Sequence, residues 1–243
     1  MIDLNSSSAF SDRLNWHIDK CIVTKEEAKP KRDYLGASIL GDYCERAVQY
    51  QAAGAVPEKP IDARMYRIFE RGHHAEDMAI DWLRAAGFML ITIDPNTGEQ
   101  FEFSIMGGQV KGHSDGIIPM WRGQDESPIP LPAVWECKCL GSKGWKAAVK
   151  DKLRESHPKY FNQGQLYAGE FGVKQILFTI INADTMEMHH EIVAYDHAVH
   201  DNMISRAQRI LLAIKAQELL PRGFDDPTVW QCKWCRYGAR CWA

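Results

Sequence analysis

The stretch Val134-Trp135-Glu136-Cys137-Lys138-Cys139 decides how this chain reads. A strand sends alternate side chains to opposite faces, so Glu136 and Lys138 project together while Trp135, Cys137 and Cys139 face the other way. An acid and a base then stand side by side on a rigid element. Upstream, Gly112-His113-Ser114-Asp115-Gly116-Ile117-Ile118 reads as a second short strand that ends at Pro119 and offers a second carboxylate, Asp115. Two carboxylates and a lysine on neighbouring strands make a site for a hard divalent cation. Such an ion takes oxygen ligands and keeps several waters, which suits metal-assisted attack on a phosphodiester. Taken alone, a Glu-x-Lys pair on a strand is most often a solvated ion pair, so the rest of the chain has to decide.

Toward the N-terminus, the sequence between the two strands and before them supplies the expected frame. Asp62 to Ala86 is the clearest helical pattern, with apolar residues at Met65, Ile68, Phe69, Ala75, Met78, Ala79, Trp82 and Leu83 and with Gly87 as its stop. Glycine inside a helix costs about 1 kcal/mol relative to alanine, so Gly72 predicts that something packs or binds close to the backbone there. Phe88 to Ile93 reads as a buried strand and Gln100 to Met106 as a half-exposed one, with turns at Asp94-Pro95-Asn96-Thr97-Gly98 and Gly107-Gly108. Three antiparallel strands are thus expected to meet Val134 to Leu140, backed by the helix, while Trp121 to Pro132 forms a surface loop. Earlier still, Ser38 is placed to cap a helix from Ile39 to about Ala52 that carries Cys44 and Arg46 and ends at Gly54. Residues 1–33 read as an N-terminal extension with a helix from about Ser11 to Glu27 and a charged connector, Lys25 to Arg32.

Toward the C-terminus, Ser142 to Glu155 is a helix with Lys143, Lys146, Lys150, Lys152 and Arg154 against Asp151 and Glu155. Clustered cations beside a metal site would bind phosphates with salt-dependent affinity, although such a face is more commonly just solvated. Pro158 opens the next helix, in which Gln163 and Tyr167 share a face. Lys174 to Ala183 and Glu187 to Ala194 form a strand pair, and a long helix from about Asp196 to Leu220 closes before Pro221. The last stretch carries Cys232, Cys235 and Cys241 in a C-x2-C-x5-C spacing, compact enough for three thiolates to reach one metal centre. Zinc and iron-sulfur clusters both accept four cysteines, and spacing does not separate them.

A chain of 243 residues with 45% apolar content can bury one large core, here taken as a single domain over 34–243. The formal charge of -3 supplies no global field for nucleic acid, so any such binding must be local. There is no run of eighteen apolar residues and the first residues are polar, which points to a protein that neither spans a membrane nor is exported. Seven cysteines, three of them within the last twelve residues, fit metal ligation in a reducing compartment better than a disulfide framework.

The pattern Asp115, Glu136-x-Lys138 resembles the core of the PD-(D/E)XK nuclease superfamily. Gln163-Gly164-Gln165-Leu166-Tyr167 resembles the Q-x-x-x-Y element of its RecB-like branch, and Cys44 with Cys232, Cys235 and Cys241 resembles the iron-sulfur signature of CRISPR-associated and AddB-like members. The likeness runs from about residue 36 to the C-terminus. It implies an α/β fold: a restriction-endonuclease-like core, a mixed central β-sheet flanked by helices, and a cysteine-ligated cluster joining the N- and C-terminal parts. In the RecB-like pattern a glycine is followed four residues later by a metal-binding histidine. Here Gly72 is followed by Glu76, as in lambda-exonuclease-like phage relatives, and His73 and His74 are held in reserve against the simpler reading of a surface pair.

The resemblance implies magnesium or manganese held by Glu76, Asp115, Glu136 and the backbone carbonyl of Cys137. Lys138, Gln163 and Tyr167 complete the catalytic set, and a 4Fe-4S cluster sits on Cys44, Cys232, Cys235 and Cys241, with residues 221–243 completing that site and structural zinc as the alternative. The activity implied is DNA hydrolysis, by exonuclease action on single-stranded or free ends, in recombination, repair, CRISPR adaptation or phage DNA processing. The setting implied is intracellular and cytoplasmic, with a phage origin, a homo-oligomer and a recombination or CRISPR protein partner left open. The rival is a non-catalytic DNA-binding scaffold that keeps the fold and a structural metal site, but it would not need Glu76, Asp115, Glu136 and Lys138 together.

Overall fold

The central strand forms as its alternation dictates. In the computed structural model, which describes residues 8–30 and 32–243, β5 (Ala133–Leu140) runs through the middle of a four-stranded sheet. Its antiparallel neighbour is β4 (Gly116–Ile118) and its parallel neighbour is β6 (Gln175–Asn182), in register from Val134 opposite Ile176 to Leu140 opposite Asn182. The edge is closed by β7 (Met188–Ala194), antiparallel to β6. β6 is buried on both faces along Ile176 to Asn182, as its continuous apolar run requires, whereas β7 alternates between exposed and half-buried positions. A parallel pair cannot be closed by a tight turn, and the crossover from β5 to β6 is made by α5 (Ser142–Ser156) and α6 (Pro158–Glu170).

A second, three-stranded sheet has the order β1 (Leu35–Gly36), β3 (Val110–His113), β2 (Glu102–Ile105), with β1 parallel and β2 antiparallel to β3. The expected strand from Gly112 to Ile118 is therefore two strands in two sheets. The chain turns the corner at Ser114 and Asp115, where the Ser114 amide donates to the Phe101 carbonyl at 3.1 Å. The single central sheet with three antiparallel strands is corrected accordingly: only β4 reaches β5 from that side, and Phe88 to Ile93 makes isolated bridges to Trp121, Ile117 and Gln100 instead of a strand.

Helices cover both faces. α4 (Ala63–Ala85) starts where Asp62 accepts from the Met65 amide at 2.8 Å and lays Ala75, Ala79 and Leu83 on the sheet face that carries Trp135, Cys137 and Leu177. Small residues along that stripe let the helix sit close to the strands. α6 and α7 (His197–Ala216) cover other parts of the core, with Leu166 and Tyr167 packed among Leu35, Val134 and Ile210. α1 (Ser8–Glu27) lies along α4, with Arg67 paired to Asp19. Of the expected extension over 1–33, residues 1–7 and 31 lie outside the described residues.

Three further expectations are corrected. The helix over Ile39 to Ala52 is two, α2 (Ala37–Leu40) and α3 (Glu45–Ala52), because the turn between them seats on α6; Ser38 lies inside α2 and Cys44 is the cap residue of α3. Gly72 does not mark a close approach, since a methyl placed there would meet nothing within 4 Å. α5 is interrupted at Lys152, whose φ of 62° is left-handed, and the Leu153 amide turns aside to the Glu191 carboxylate at 3.0 Å.

Candidate active site

Glu136 and Lys138 leave the same face of β5, and Asp115 reaches them from the corner between the sheets. The Lys138 ammonium lies 2.8 Å from Glu136 Oε2 and 3.8 Å from Asp115 Oδ2. The Cys137 amide, unpaired on the β4 side because that pairing stops at Gly116 opposite Trp135, donates to Asp115 Oδ2 at 2.8 Å. The Asp115 amide in turn lies 3.4 Å from Glu136 Oε1. Backbone and side chain therefore lock the two carboxylates together. An extended residue sends its N–H and C=O to the same side, so the Cys137 carbonyl faces this edge as well.

Glu76 joins from α4, in the layer on the other side of the sheet, at the edge that β4 leaves open. Burial first, and the Asp115 carboxylate second, push its carboxyl up from 4.5 to about 7, while the Lys138 ammonium pulls it down. Glu136 has no exposed surface, and burial followed by Asp115 raises it to about 8 against the pull of Lys138. Lys138 itself is raised by Glu136 and Asp115, which outweigh the opposing effect of its own burial. Glu76 and Glu136 both resist ionisation here, and with all three carboxyls ionised beside one ammonium the set would carry two surplus negative charges, the charge a divalent cation would balance. All donors but the ammonium are oxygens, so the set fits magnesium or manganese. Among the described residues, no group of three or more His, Cys, Asp or Glu side chains is gathered into coordination geometry.

Gln163 and Tyr167 back the pocket from the core. Gln163 Nε2 donates to Tyr167 Oη at 2.9 Å, and both side chains are buried. The Tyr167 phenol is raised first by burial and then by the Glu136 carboxylate. Gly112 makes room for this ring: a methyl there would stand 2.6 Å from Tyr167 Cε1 and 2.4 Å from Phe103 Cε1. His73 points to solvent, 4.0 Å from Glu76 Oε2, and His74 lines a different cleft with Arg71 and Cys139. Sequence reasoning missed Tyr160, whose ring centre is 5.6 Å from the Lys138 ammonium. The signal was present, because Tyr160, Gln163 and Tyr167 fall three and four apart on one helix face.

Cys44, Cys232 on α8 (Trp230–Lys233), Cys235 and Cys241 on α9 (Gly238–Trp242) line one cavity of about 370 Å³, and all are free thiols. Burial raises the Cys235 thiol, and the other three sulfurs add to that. No cysteine-ligated cluster is shown, and the segment is held to α3 by other means. Leu220 and Glu218 bond to the Gln49 amide group, and the Glu58 carboxylate accepts from the Ala239 and Arg240 amides at 2.7 and 2.6 Å.

No protein-family model matches the sequence, and no curated protein matches it either. The architecture is nevertheless a mixed α/β fold, two sheets flanked by helices, that solved structures share. The alkaline exonuclease LHK-Exo from Laribacter hongkongensis shares it with a TM-score of 0.50 and 18% identity, over 76% of this chain and 89% of that one. LHK-Exo in complex with dAMP gives 0.53 and 14% over the same shares. The protein SSO0001 matches over 96% of this chain and 97% of its own, with a TM-score of 0.51 and 16% identity. At these identities the likeness is one of fold.

Proposed function

We propose that this protein is a metal-dependent deoxyribonuclease, an exonuclease that hydrolyses DNA phosphodiester bonds at single-stranded or otherwise free ends. The observation that carries the reading is the Lys138 ammonium held between the Asp115 and Glu136 carboxylates. The name of the exonuclease that shares the fold supports it.

Asp115, Glu136, Glu76 and the Cys137 carbonyl would hold one or two magnesium or manganese ions. Such an ion, when bound, lowers the pKa of water and neutralises charge on a phosphate. The protein's own contribution is placement. Lys138 is fixed between two carboxylates, so its ammonium is aimed in advance at the oxygens on which negative charge develops. Gln163 and Tyr167, bonded to each other, would act as positioning residues for the DNA strand. Cys44, Cys232, Cys235 and Cys241, which line one cavity, would be the ligands of a 4Fe-4S cluster, with zinc as the alternative. Its role would be structural, clamping residues 221–243 to α3.

The test is digestion of end-labelled linear and of closed circular DNA, each with manganese and with a chelator. Metal-dependent loss of the linear form with sparing of the circle is expected, and absence of metal-dependent cleavage of either would favour the scaffold reading.

A further inference from the structure

A row of aromatic rings leads away from Lys138 along the surface. It begins at Tyr160, over which the Lys138 ammonium sits at 5.6 Å and on which the His157 ring stacks at 5.7 Å with an interplanar angle of 10°. The turn between α2 and α3 is seated on this same first turn of α6. Asp42 pairs with Lys159 at 3.0 Å, and a methyl at Gly41 would stand 3.0 Å from the Lys159 carbonyl. Tyr43, next to Asp42, thereby lies against the first turn of α6 and lines one cavity with Lys159, the neighbour of Tyr160 in the chain. Tyr43 then meets Trp230 edge-on at 5.4 Å, and Trp234, whose amide donates to the Trp230 carbonyl at 3.0 Å, follows one helical turn later.

Tyr160 is half-buried against the core around Phe178, but packing does not explain the other three rings. Tyr43 is 45% exposed, Trp230 57% and Trp234 80%. Aromatic side chains of this size are normally buried for the area they remove from water, and a contiguous exposed set marks a binding surface. Charge indicates the kind of partner. In a chain of net charge -3, residues 221–243 carry four arginines and lysines against two aspartates, and the exposed Lys143 and Lys146 of α5 lie on the other flank. α5 approaches closely there, since a methyl at Gly144 would come within 3.4 Å of His157 Nε2.

We propose that Tyr160, Tyr43, Trp230 and Trp234 form a track for single-stranded nucleic acid, on which successive unpaired bases stack while the flanking cations follow the phosphates toward Lys138. Rings set apart along a cationic strip suit bases of any sequence, because every base has a face to stack. A second copy of the chain or a protein partner would not require the row to end at Lys138. The proposal rests on the nuclease reading for what happens at Lys138, but not for the binding itself.

Binding is therefore measured in chelator, where no metal-dependent cleavage occurs, by the anisotropy of labelled oligothymidines in a length series and by quenching of the protein's tryptophan fluorescence. Wild-type protein is expected to show quenching and an affinity that rises with length. Trp230→Ala with Trp234→Ala should bind about tenfold more weakly or worse and lose the length dependence. Trp230→Phe with Trp234→Phe should restore most of the affinity. Absence of quenching in the wild type overturns the track without any variant. Unchanged affinity in the double alanine variant also overturns it, whether or not that variant alters self-association in sedimentation. Failure of the nuclease reading appears separately, as binding with no metal-dependent cleavage.

Discussion

Replacing Glu136 by glutamine separates the charge of the site from its shape. Glu136 is fully enclosed, and its carboxyl is raised from 4.5 to about 8. The folded chain therefore holds this proton more tightly than the unfolded chain, so the associated stability is fully present below about 4.5 and is lost as pH rises through about 8. Glu76, raised to about 7, acts in the same sense over a narrower window. Within the window one such proton changes stability by at most about 1.4 kcal/mol per pH unit, so the whole crossing removes on the order of a few kcal/mol from a total of about 5–15. Glutamine keeps an oxygen for the Lys138 ammonium, which now lies 2.8 Å from Glu136 Oε2, and so leaves the lysine bonded. In chelator, Glu136→Gln should match the wild type near pH 5 and exceed it by about 1–3 kcal/mol near pH 8.5. Urea denaturation followed by tryptophan fluorescence across that range is the assay. Parallel stability curves for the two proteins would refute the reasoning, because they would mean that Glu136 ionises in the folded protein as it does in the unfolded one.

Asp115→Asn should abolish cleavage with little loss of fold, because an amide oxygen can still accept from the Cys137 amide; Asp115→Ala should cost about 1–3 kcal/mol more in urea denaturation by leaving that buried N–H unpaired. Gly112→Ala pushes a methyl into Tyr167, Phe103 and Ala37, so a loss of about 1–3 kcal/mol and a lowered kcat are expected, and wild-type values of both would contradict the packing. On the proposal that the cysteine cavity holds a metal centre, Cys44→Ser should lower Tm and the metal content of the protein, as read by metal analysis and, for an iron-sulfur cluster, by loss of the brown colour of anaerobically purified protein. Full metal content in that variant would remove Cys44 from the ligand set.

The parts of the molecule legible in the sequence are those fixed by local periodicity. The alternation around Glu136 fixes which residues share a face of β5, and the apolar stripe from Ala75 to Leu83 fixes the buried side of α4. The Gln163 and Tyr167 pair was legible as a shared face, but not its depth, which depends on how α6 seats against Gly112. The corner at Asp115 escaped, because it depends on distant partners: the Phe101 carbonyl takes the Ser114 amide and the Asp115 side chain takes the Cys137 amide. The break between α2 and α3 was signalled in part by Gly41 and Asp42, both poor helix formers, and is fixed by the fit of those residues on α6. Gly72 misled because a glycine in a helix signals close approach only where something lies within reach, and there nothing does.

The most direct measurement of the central claim is release of label from linear DNA by wild type, Glu136→Gln and Lys138→Ala proteins across a manganese titration, with the fold of each checked by its urea midpoint. Saturable, manganese-dependent release by the wild type alone is the predicted result. Comparable release by either folded variant would contradict the assignment of this pocket to the chemistry.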